Sequence, residues 1–288
     1  MKRIAAIRIH CQPLLRPLPR AYDGSMNRTM TLTPERRKGG PRLTPQVVPG
    51  VHRLEHASTN CYLLADGDAW TLVDAAFPKT WGSLVRAAHE LGLRMRDLQG
   101  IVLTHGHFDH VGFAERAIEE LGVPVFVHAQ DRHLAARPYR YKREHTPFVY
   151  PFLYPRSLGA VAGMVKAGAL TVKGVEDVSE LPGQGTLDLP GRPEVVFTPG
   201  HTFGHCGLLL RDRDTLLSGD AIVTLDPYKG IPGAQIIAGA ATADSEMALR
   251  TLDTIVATGA RTILPGHGEP WHDGVEAAVA SARAIGRS

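Results

Sequence analysis

The residues most able to do chemistry in this sequence form the run His105-Gly106-His107-Phe108-Asp109-His110. Side chains alternate between the two faces of an extended segment, so His105 and His107 are expected to point the same way. As the chain turns into a following helix, Asp109 and His110 swing towards a neighbouring point. One short loop can therefore supply two ligands to each of two adjacent metal ions. Imidazole and carboxylate ligands suit zinc, iron or manganese.

Three further sites supply the same kinds of ligand in matching contexts. Each places a histidine or an aspartate beside a glycine, just after an apolar segment, at His201, Asp220 and His267. Glycine lets the backbone approach a crowded centre closely. The seven candidate ligands are enough for two metal ions that share one carboxylate and one water. Two cations about 3.5–4 Å apart would acidify that water and yield hydroxide at neutral pH.

The segments around these ligands predict alternating strands and helices. The predicted strands are 51–55, 60–65, 70–73, 101–103, 125–127, 194–197, 206–210, 215–217 and 262–264. The predicted helices are 79–91, 112–121, 245–257 and 274–284. This alternation indicates an α/β layered core. Strand ends and loops would hold the ligands on a rigid base and leave one side open to a substrate.

Charge is distributed unevenly along the 288 residues. Residues 1–42 contain ten Lys/Arg and two acidic residues, whereas residues 43–288 contain 22 Lys/Arg and 27 acidic residues. Residues 1–46 are therefore predicted to be a disordered basic arm, or sequence upstream of a later start at Met26 or Met30, with residues 47–288 as the folded domain. The mildly acidic body argues against nucleic acid as a partner. No run of about 18 apolar residues is present, so no membrane partner is expected.

The three cysteines, Cys11, Cys61 and Cys206, are odd in number and widely spaced. This pattern favours neither a disulfide framework nor a cysteine-based zinc site. A reducing compartment, the cytoplasm, is therefore expected for this protein.

Residues 137–170 are long for a plain connection and are predicted to be an aromatic-rich cap insertion. Four of the seven tyrosines of the chain fall within 16 residues of this segment. They are Tyr139, Tyr141, Tyr150 and Tyr154, and they are candidates for binding the substrate. An equally open alternative is that the rings pack the cap onto the core or form a homodimer contact. The basic residues around them indicate either a substrate that carries a carboxylate or a solvated rim.

The order and spacing of these motifs resemble the metallo-β-lactamase-fold superfamily over about residues 47–288. The resemblance rests on His105-x-His107-x-Asp109-His110, then His201, Asp220 and His267, with Asp74 at the position of the first motif. It implies a four-layer αβ/βα sandwich with the active site at one edge. It also implies one metal ion on His105, His107 and His201, a second on Asp109, His110 and His267, and a bridging Asp220.

Further roles are expected around this centre. In the family, the aspartate matched by Asp74 is usually structural and supports the metal loop. Asp109 is expected to be catalytic, orienting the attacking water or carrying its proton, as the family suggests. Thr104 and Thr202 are placed in sequence to hydrogen-bond the ligating groups. His205 lies four residues after His201 and is not counted as a ligand.

Two departures narrow the branch of the family. The B1 β-lactamases have a cysteine where this chain has Asp220. Glyoxalase II has a helical domain after its last histidine ligand, whereas this sequence has 21 residues after His267. The resemblance then implies a glyoxalase-II-like or lactonase-like hydrolase that cleaves an ester, thioester or lactone of a small molecule through a metal-bridging hydroxide. Two divalent ions are expected, zinc first, with iron or manganese as alternatives. Two other hypotheses stay open: a persulfide dioxygenase with one iron ion, and a non-catalytic binding protein of the same fold.

Overall fold

The computed structural model describes residues 40–287, which form two main β-sheets flanked by helices. The first sheet has seven strands in sequence order. They are β1 (Arg42–Val48), β2 (Val51–His56), β3 (Thr59–Asp66), β4 (Ala69–Val73), β5 (Leu98–Val102), β6 (Val125–His128) and β7 (Ser179–Leu181). Neighbouring strands are antiparallel from β1 to β4 and parallel from β4 to β7.

The remaining strands form a second sheet and a separate ribbon. They are β8 (Gln184–Thr186), β9 (Glu194–Phe197), β10 (Cys206–Leu210), β11 (Thr215–Gly219), β12 (Val223–Asp226), β13 (Ile231–Gln235) and β14 (Thr262–Pro265). The second sheet has the order β14-β11-β10-β9-β8, and β12 pairs with β13 in the ribbon. The β11–β14 pair is parallel, whereas the other pairs of this sheet are antiparallel.

The helices of residues 40–287 are arranged around these sheets. They are α1 (Trp81–Glu90), α2 (Phe108–Val111), α3 (Ala114–Leu121), α4 (Arg132–Ala136), α5 (Tyr150–Leu153), α6 (Leu158–Ala167), α7 (Ser245–Val256) and α8 (Gly274–Ile285). In α1 the buried side chains of Trp81, Leu84 and Ala88 recur at helical spacing. That spacing is why one face of α1 packs on the core while the other meets solvent.

The core has three apolar layers, because each sheet is covered on both faces. In β3, Leu63 packs with Leu84 of α1 on the outer face, whereas its neighbour Leu64 lies in the layer between the sheets. In β10, Leu208 lies in that same central layer and Leu209 packs with Leu252 of α7 outside. This alternation follows from the two-residue period of a strand. The predicted fold class, a four-layer αβ/βα sandwich, is confirmed.

The folded part of the chain begins earlier than the predicted boundary at residue 47. Strand β1 starts at Arg42 and pairs with β2, so that Arg42 lies opposite Glu55 and Leu43 opposite Leu54. Arg42 also forms an ion pair with Glu269. Residues 42–46 are therefore part of the sheet. Their sequence shows no clear alternation of apolar residues, so backbone pairing with β2 and the ion pair of Arg42 hold this segment in place. Residues 1–39 of the predicted arm lie outside the described residues.

Two of the three cysteines lie within the described residues. Cys61 and Cys206 are buried free thiols, and Cys11 lies outside the described residues. No helix within residues 40–287 has the length and apolar character needed to cross a membrane.

Candidate metal centre

The ligand loops leave both sheets at strand ends that face one another. Asp74 follows β4, and the loop that begins at Thr104 follows the parallel neighbour β5. In the second sheet, β9, β11 and β14 run in one direction, so the loops after them emerge at a single edge. The two edges are joined directly, because the Cys206 backbone N–H donates to the Thr104 carbonyl over 2.9 Å.

Three histidines form the first group of candidate ligands. His105, His107 and His201 offer ligand atoms that lie within 4.8 Å of one another. All three side chains are at least 97% buried. The Nε2 atom of His201 is 3.0 Å from Nδ1 of His107. At this distance the two nitrogens either share one proton in a hydrogen bond or, when both are deprotonated, offer their lone pairs to the same cation.

Asp109, His110 and His267 form the second group, and Asp220 lies between the two groups. Nε2 of His267 is 3.4 Å from Oδ2 of Asp109. Oδ2 of Asp220 is 3.2 Å from Nε2 of His267 and 3.4 Å from Nε2 of His201. The structure therefore brings all seven predicted ligands together, with the Asp220 carboxylate in contact with both groups. These His/Asp clusters are consistent with a binuclear metal site.

Unpaired buried atoms test whether these residues fit metal ions. Nε2 of His105, Nε2 of His110 and Oδ1 of Asp220 are buried and have no hydrogen-bond partner within 3.5 Å, although the last two atoms lie 3.6 Å from each other. A buried polar atom without a partner costs about 1–3 kcal/mol, so a folded chain rarely leaves several of them together. Coordination of divalent cations satisfies these lone pairs. The donor set therefore fits the expected metals.

The other ring nitrogen of three ligands is held by a hydrogen bond that orients the ring. Nδ1 of His105 lies 3.0 Å from the Thr104 hydroxyl, and Nδ1 of His110 lies 2.9 Å from Oδ2 of Asp74. Nδ1 of His267 donates to the Ser58 carbonyl over 2.7 Å. With Nδ1 engaged in this way, each of these rings presents Nε2 to the centre, as metal-binding histidines commonly do.

Asp131 connects the metal loops of the two sheets and was not predicted from the sequence. Its Oδ2 accepts from the Gly106 backbone N–H over 3.0 Å and from the Thr202 hydroxyl over 2.6 Å. Its Oδ1 accepts from the Gly204 backbone N–H over 2.8 Å. Thr202 was expected to bond a ligating group, but it supports Asp131 instead. The only sequence signal for Asp131 is an acidic residue shortly after the apolar strand β6.

His205 supports the centre without being available as a ligand. Its Nε2 accepts from the Asp220 backbone N–H over 2.9 Å, and its Nδ1 lies 2.8 Å from the Thr198 hydroxyl. Both ring nitrogens are thus engaged, and burial lowers the pKa of His205 to about 3. A neutral His205 that fixes the backbone of Asp220 explains why a histidine recurs four residues after His201.

Glycine is required where the backbone crowds the bridging aspartate. A Cβ on Gly266 would lie 2.1 Å from Oδ1 of Asp220. Gly219 has φ +49°, and a Cβ there would lie 2.7 Å from Nε2 of His205. Both contacts are far too short for any other residue. The glycines beside the predicted ligands therefore serve close packing around the centre.

Burial and charge divide the histidines into two electrostatic classes. Burial lowers the pKa of His201 to about 4 and lowers the pKa values of His105 and His107 well below the usual range. Burial also acts to lower the pKa of His110, but nearby carboxylates, Asp74 foremost, outweigh it and raise that pKa well above the usual range. The first group is therefore a set of neutral imidazoles, which is the form that binds metal.

Asp220 and His267 shift the pKa values of each other. Burial acts to raise the pKa of Asp220, but the positive charges of His267 and His110 outweigh it and hold the pKa well below its usual range. Burial acts to lower the pKa of His267, yet the Asp220 carboxylate raises it. The Asp220 carboxylate is therefore ionised, which is the form that binds a cation.

Comparison with known proteins agrees with this geometry. Residues 55–267, which span all seven candidate ligands, match the metallo-beta-lactamase superfamily. The chain belongs to this superfamily. A Bacillus subtilis protein named "probable metallo-hydrolase YflN" is 28% identical over 234 residues, covering 78% of this chain and 86% of its own length. Together with the His/Asp site, this likeness identifies the chain as a metal-dependent hydrolase.

Solved structures of the superfamily share the fold. A metallo-beta-lactamase family protein from Thermus thermophilus aligns with a TM-score of 0.57 and 27% identity, over 80% of this chain and 77% of its own. A Cronobacter sakazakii metallo-beta-lactamase described by a HARLDQ motif aligns with a TM-score of 0.62 and 20% identity, over 86% of this chain and 93% of its own. At 20% identity, the latter shows the fold alone.

The cap tyrosines of this superfamily member have different surroundings. The ring centroid of Tyr141 lies 4.4 Å from that of His107, so Tyr141 borders the centre. Tyr139 hydrogen-bonds the Ala169 carbonyl and the Val172 backbone N–H, each over 2.9 Å. Tyr150 and Tyr154 pack in a small apolar cluster with Ala238 and Ala240. Of the four, only Tyr141 has a ring contact with a candidate ligand.

Tyr228 is a further residue beside the centre that sequence analysis missed. It shares a hydrogen bond with Tyr141, and burial raises its pKa well above the usual range. It lies just after β12, in a segment without a recognisable motif. Tyr228 holds the Tyr141 side chain in place through this bond.

Proposed function

We propose that the protein hydrolyses a carboxylic ester, thioester or lactone of a small molecule, in the manner of the glyoxalase-II-like and lactonase-like branch. The observation that carries this proposal is the position of Asp220, whose carboxylate lies 3.2 Å from His267 and 3.4 Å from His201. One carboxylate between two complete donor groups suits two cations that act on a shared water. Two bound divalent cations supply an acidified water as nucleophile and polarise the carbonyl of the substrate.

The side chains of the centre would bind the metal ions, position the attacking water and contact the carbonyl oxygen of the substrate. Seven side chains would hold the two ions, as the two groups around Asp220. Asp109 is 7% exposed, which makes it the most accessible carboxylate of the centre, and we assign to its Oδ atoms the orientation of the attacking water or the removal of its proton. To Tyr141, whose ring centroid lies 4.4 Å from that of His107, we assign a hydrogen bond from its hydroxyl to the carbonyl oxygen of a substrate.

Zinc is the metal we propose, because it binds imidazole and carboxylate ligands and activates water for hydrolysis without redox chemistry. Iron and manganese accept the same donors. Among the similar structures, a protein designated TTHA1623 is described in a di-iron-bound form, and the Pseudomonas aeruginosa enzyme FIM-1 is described in a mono-zinc form. Metal analysis of the purified protein decides between them.

We also propose that the protein works in the cytoplasm and as a homodimer. The reduced, buried thiols of Cys61 and Cys206 support a reducing compartment. The cap exposes large apolar side chains, since Phe148 is 76% exposed and Phe152 is 86% exposed. Exposed apolar surface of this kind is typical of a protein interface.

The test is to measure metal content together with a screen of thioesters, esters, lactones and β-lactams. Release of acid that depends on metal, and that is lost in Asp220→Ala but retained in the control Asp188→Ala, supports the proposal. Oxygen consumption with a persulfide and a single iron ion per chain would instead establish the dioxygenase hypothesis. Failure to turn over any substrate in the fully metal-loaded protein would leave only a binding role.

A further inference from the structure

A cavity of about 150 Å³ lies beside the metal centre, between the cap and the second sheet. Tyr141, whose ring packs at a tilt against that of His107, and Thr202, which follows His201, form part of its lining. Arg140, Lys142 and Phe203 also line it. The cavity is therefore continuous with the surroundings of the candidate ligands, although none of its lining residues is needed to hold a metal.

The cations at this cavity have no carboxylate partner in the described part of the chain. Elsewhere exposed arginines commonly have one, as in Arg116–Glu120 at 2.6 Å and Arg211–Glu194 at 2.7 Å. Residues 132–173 contain eight Lys/Arg and one acidic residue, whereas residues 43–288 as a whole have an excess of acidic residues. Positive charge is thus concentrated in the segment that supplies Arg140 and Lys142 to the cavity.

Asp131, which lines the cavity, and Glu144, which is close in sequence to these cations, are engaged with other groups. Asp131 lines the cavity, but both of its oxygens accept hydrogen bonds from the metal loops. Glu144 accepts from the backbone N–H of Ser245 over 2.8 Å and from the Ser245 hydroxyl over 2.6 Å. Among the described residues, neither carboxylate forms a salt bridge with Arg140 or Lys142. An anion brought by a ligand would do so.

Aromatic rings hold two of the cations at the rim. The Lys142 ammonium lies 5.2 Å from the ring centroid of Phe203, and the Arg143 guanidinium lies 5.7 Å from that of Tyr141. These cation–π contacts restrain long side chains that would otherwise sample many rotamers. Because Tyr141 also touches His107, the positive charge is held close to the position at which the substrate would react.

We propose that this cavity binds an anionic group of the substrate, a carboxylate or a phosphate, through Arg140 and Lys142, with Arg143 at the rim. The inference rests on the proposed function and names its substrate class: a short-chain ester or thioester that carries a negative charge. The size supports a small group, since about 150 Å³ is well below the roughly 300–1,000 Å³ of pockets that enclose a drug-sized ligand. Leu134 and Ala243 provide an apolar lining for a short carbon chain.

The experiment compares matched substrates on the metal-loaded protein. The neutral substrate is para-nitrophenyl methyl glutarate, and the carboxylate substrate is para-nitrophenyl hydrogen glutarate. A third ester carries a phosphate at the same end of the chain. The double variant Arg140→Gln/Lys142→Gln removes the cavity cations, and Arg156→Gln is the control because that exposed cap arginine does not line the cavity. Thermal unfolding verifies that each variant is folded.

We expect kcat/KM of the wild type to be about tenfold or more higher for an anionic ester than for the neutral ester. The difference should arise from a lower KM, because charge-assisted hydrogen bonds strengthen binding of the anion. The double variant should lose at least about five times more activity on the anionic than on the neutral ester, whereas Arg156→Gln should keep the preference. Whichever of the carboxylate and phosphate esters loses more identifies the anion. Equal losses on neutral and anionic esters, or a wild-type preference for the neutral ester, would overturn the proposal.

A binding measurement separates this proposal from the proposed function. If no ester is hydrolysed, the proposed function fails, and the amide glutaranilic acid then serves as the probe for the cavity. Calorimetric titration should give an affinity for wild type and Arg156→Gln that falls by about tenfold or more in the double variant. The same affinity in all three proteins would show that the cavity does not recognise an anion.

Discussion

Asp74 and His110 share a hydrogen bond of 2.9 Å between Oδ2 and Nδ1. The same carboxylate accepts from the Thr104 backbone N–H over 2.8 Å through Oδ1. One aspartate at the end of β4 therefore orients a candidate ligand and fixes the first turn of the loop that carries the others. Its backbone has φ +62°, a left-handed conformation that Asp and Asn tolerate better than most residues.

Asp74→Asn should weaken metal binding without unfolding the protein. Asparagine keeps the size and the backbone tolerance, but it removes the charge that polarises His110. Loss of such a supporting carboxylate typically lowers metal affinity by about 10–100-fold. Competition with a chromophoric chelator measures the affinity, and Asp188→Asn, which changes an aspartate outside the centre, is the control. Wild-type affinity in Asp74→Asn would show that the bond has no role in metal binding.

Sequence pattern was enough to select the seven residues that the structure brings together, because they are close in the chain or directly follow apolar strands. His105 to His110 form one continuous run, and His201, Asp220 and His267 each stand beside a glycine. The strands that carry them were also predicted, since their apolar runs are unbroken. Local sequence pattern was therefore sufficient to locate candidate ligands that directly follow a strand.

Features that depend on distant partners were not predicted. Asp131 and Tyr228 act through bonds to Thr202 and Tyr141, which are far away in sequence. Strands β7 and β8 are three residues each and mostly exposed, so they show no apolar alternation. From the sequence, all four tyrosines of residues 137–170 had the same candidate role in binding the substrate. Only the folded chain separates Tyr141, which borders the centre, from Tyr139, whose hydroxyl forms hydrogen bonds with the backbone.

Asp131→Ala should destabilise the protein, because three hydrogen-bond donors would lose their acceptor. The Gly106 and Gly204 N–H groups and the Thr202 hydroxyl are all buried around it. Leaving buried donors unpaired costs about 1–3 kcal/mol each, so we expect a loss of about 3 kcal/mol or more in the free energy of unfolding. Urea denaturation of the metal-free protein provides the measurement.

The control for this change is Asp188→Ala, which removes a carboxylate outside the centre. Asp131→Asn is a second comparison, since an amide retains one acceptor oxygen and should lose less stability than alanine. If Asp131→Ala and Asp188→Ala unfold at the same urea concentration, Asp131 does not hold the two loops together.

Tyr141→Phe and Tyr139→Phe should separate a catalytic tyrosine from a structural one. Removing the Tyr141 hydroxyl should lower kcat by about tenfold or more, if it donates to the carbonyl oxygen as proposed. Removing the Tyr139 hydroxyl breaks bonds to Ala169 and Val172 and should cost about 1 kcal/mol of stability instead. Steady-state kinetics and thermal unfolding on both variants make the comparison. A larger kcat loss in Tyr139→Phe would reverse the assignment.

Metal binding at neutral pH should release protons, and they should come from the second group of ligands. Carboxylates raise the pKa values of His110 and His267, so these rings carry protons in the metal-free protein, whereas burial keeps His201 neutral with a pKa of about 4. A cation must displace the protons of the second group but finds the first group already deprotonated. Acidification towards about pH 6 should therefore weaken the second site before the first.

Calorimetric zinc titrations in buffers of different ionisation enthalpy count the protons that are released, and His267→Ala should reduce that count. Heats that do not depend on the buffer would contradict the two electrostatic classes of histidine.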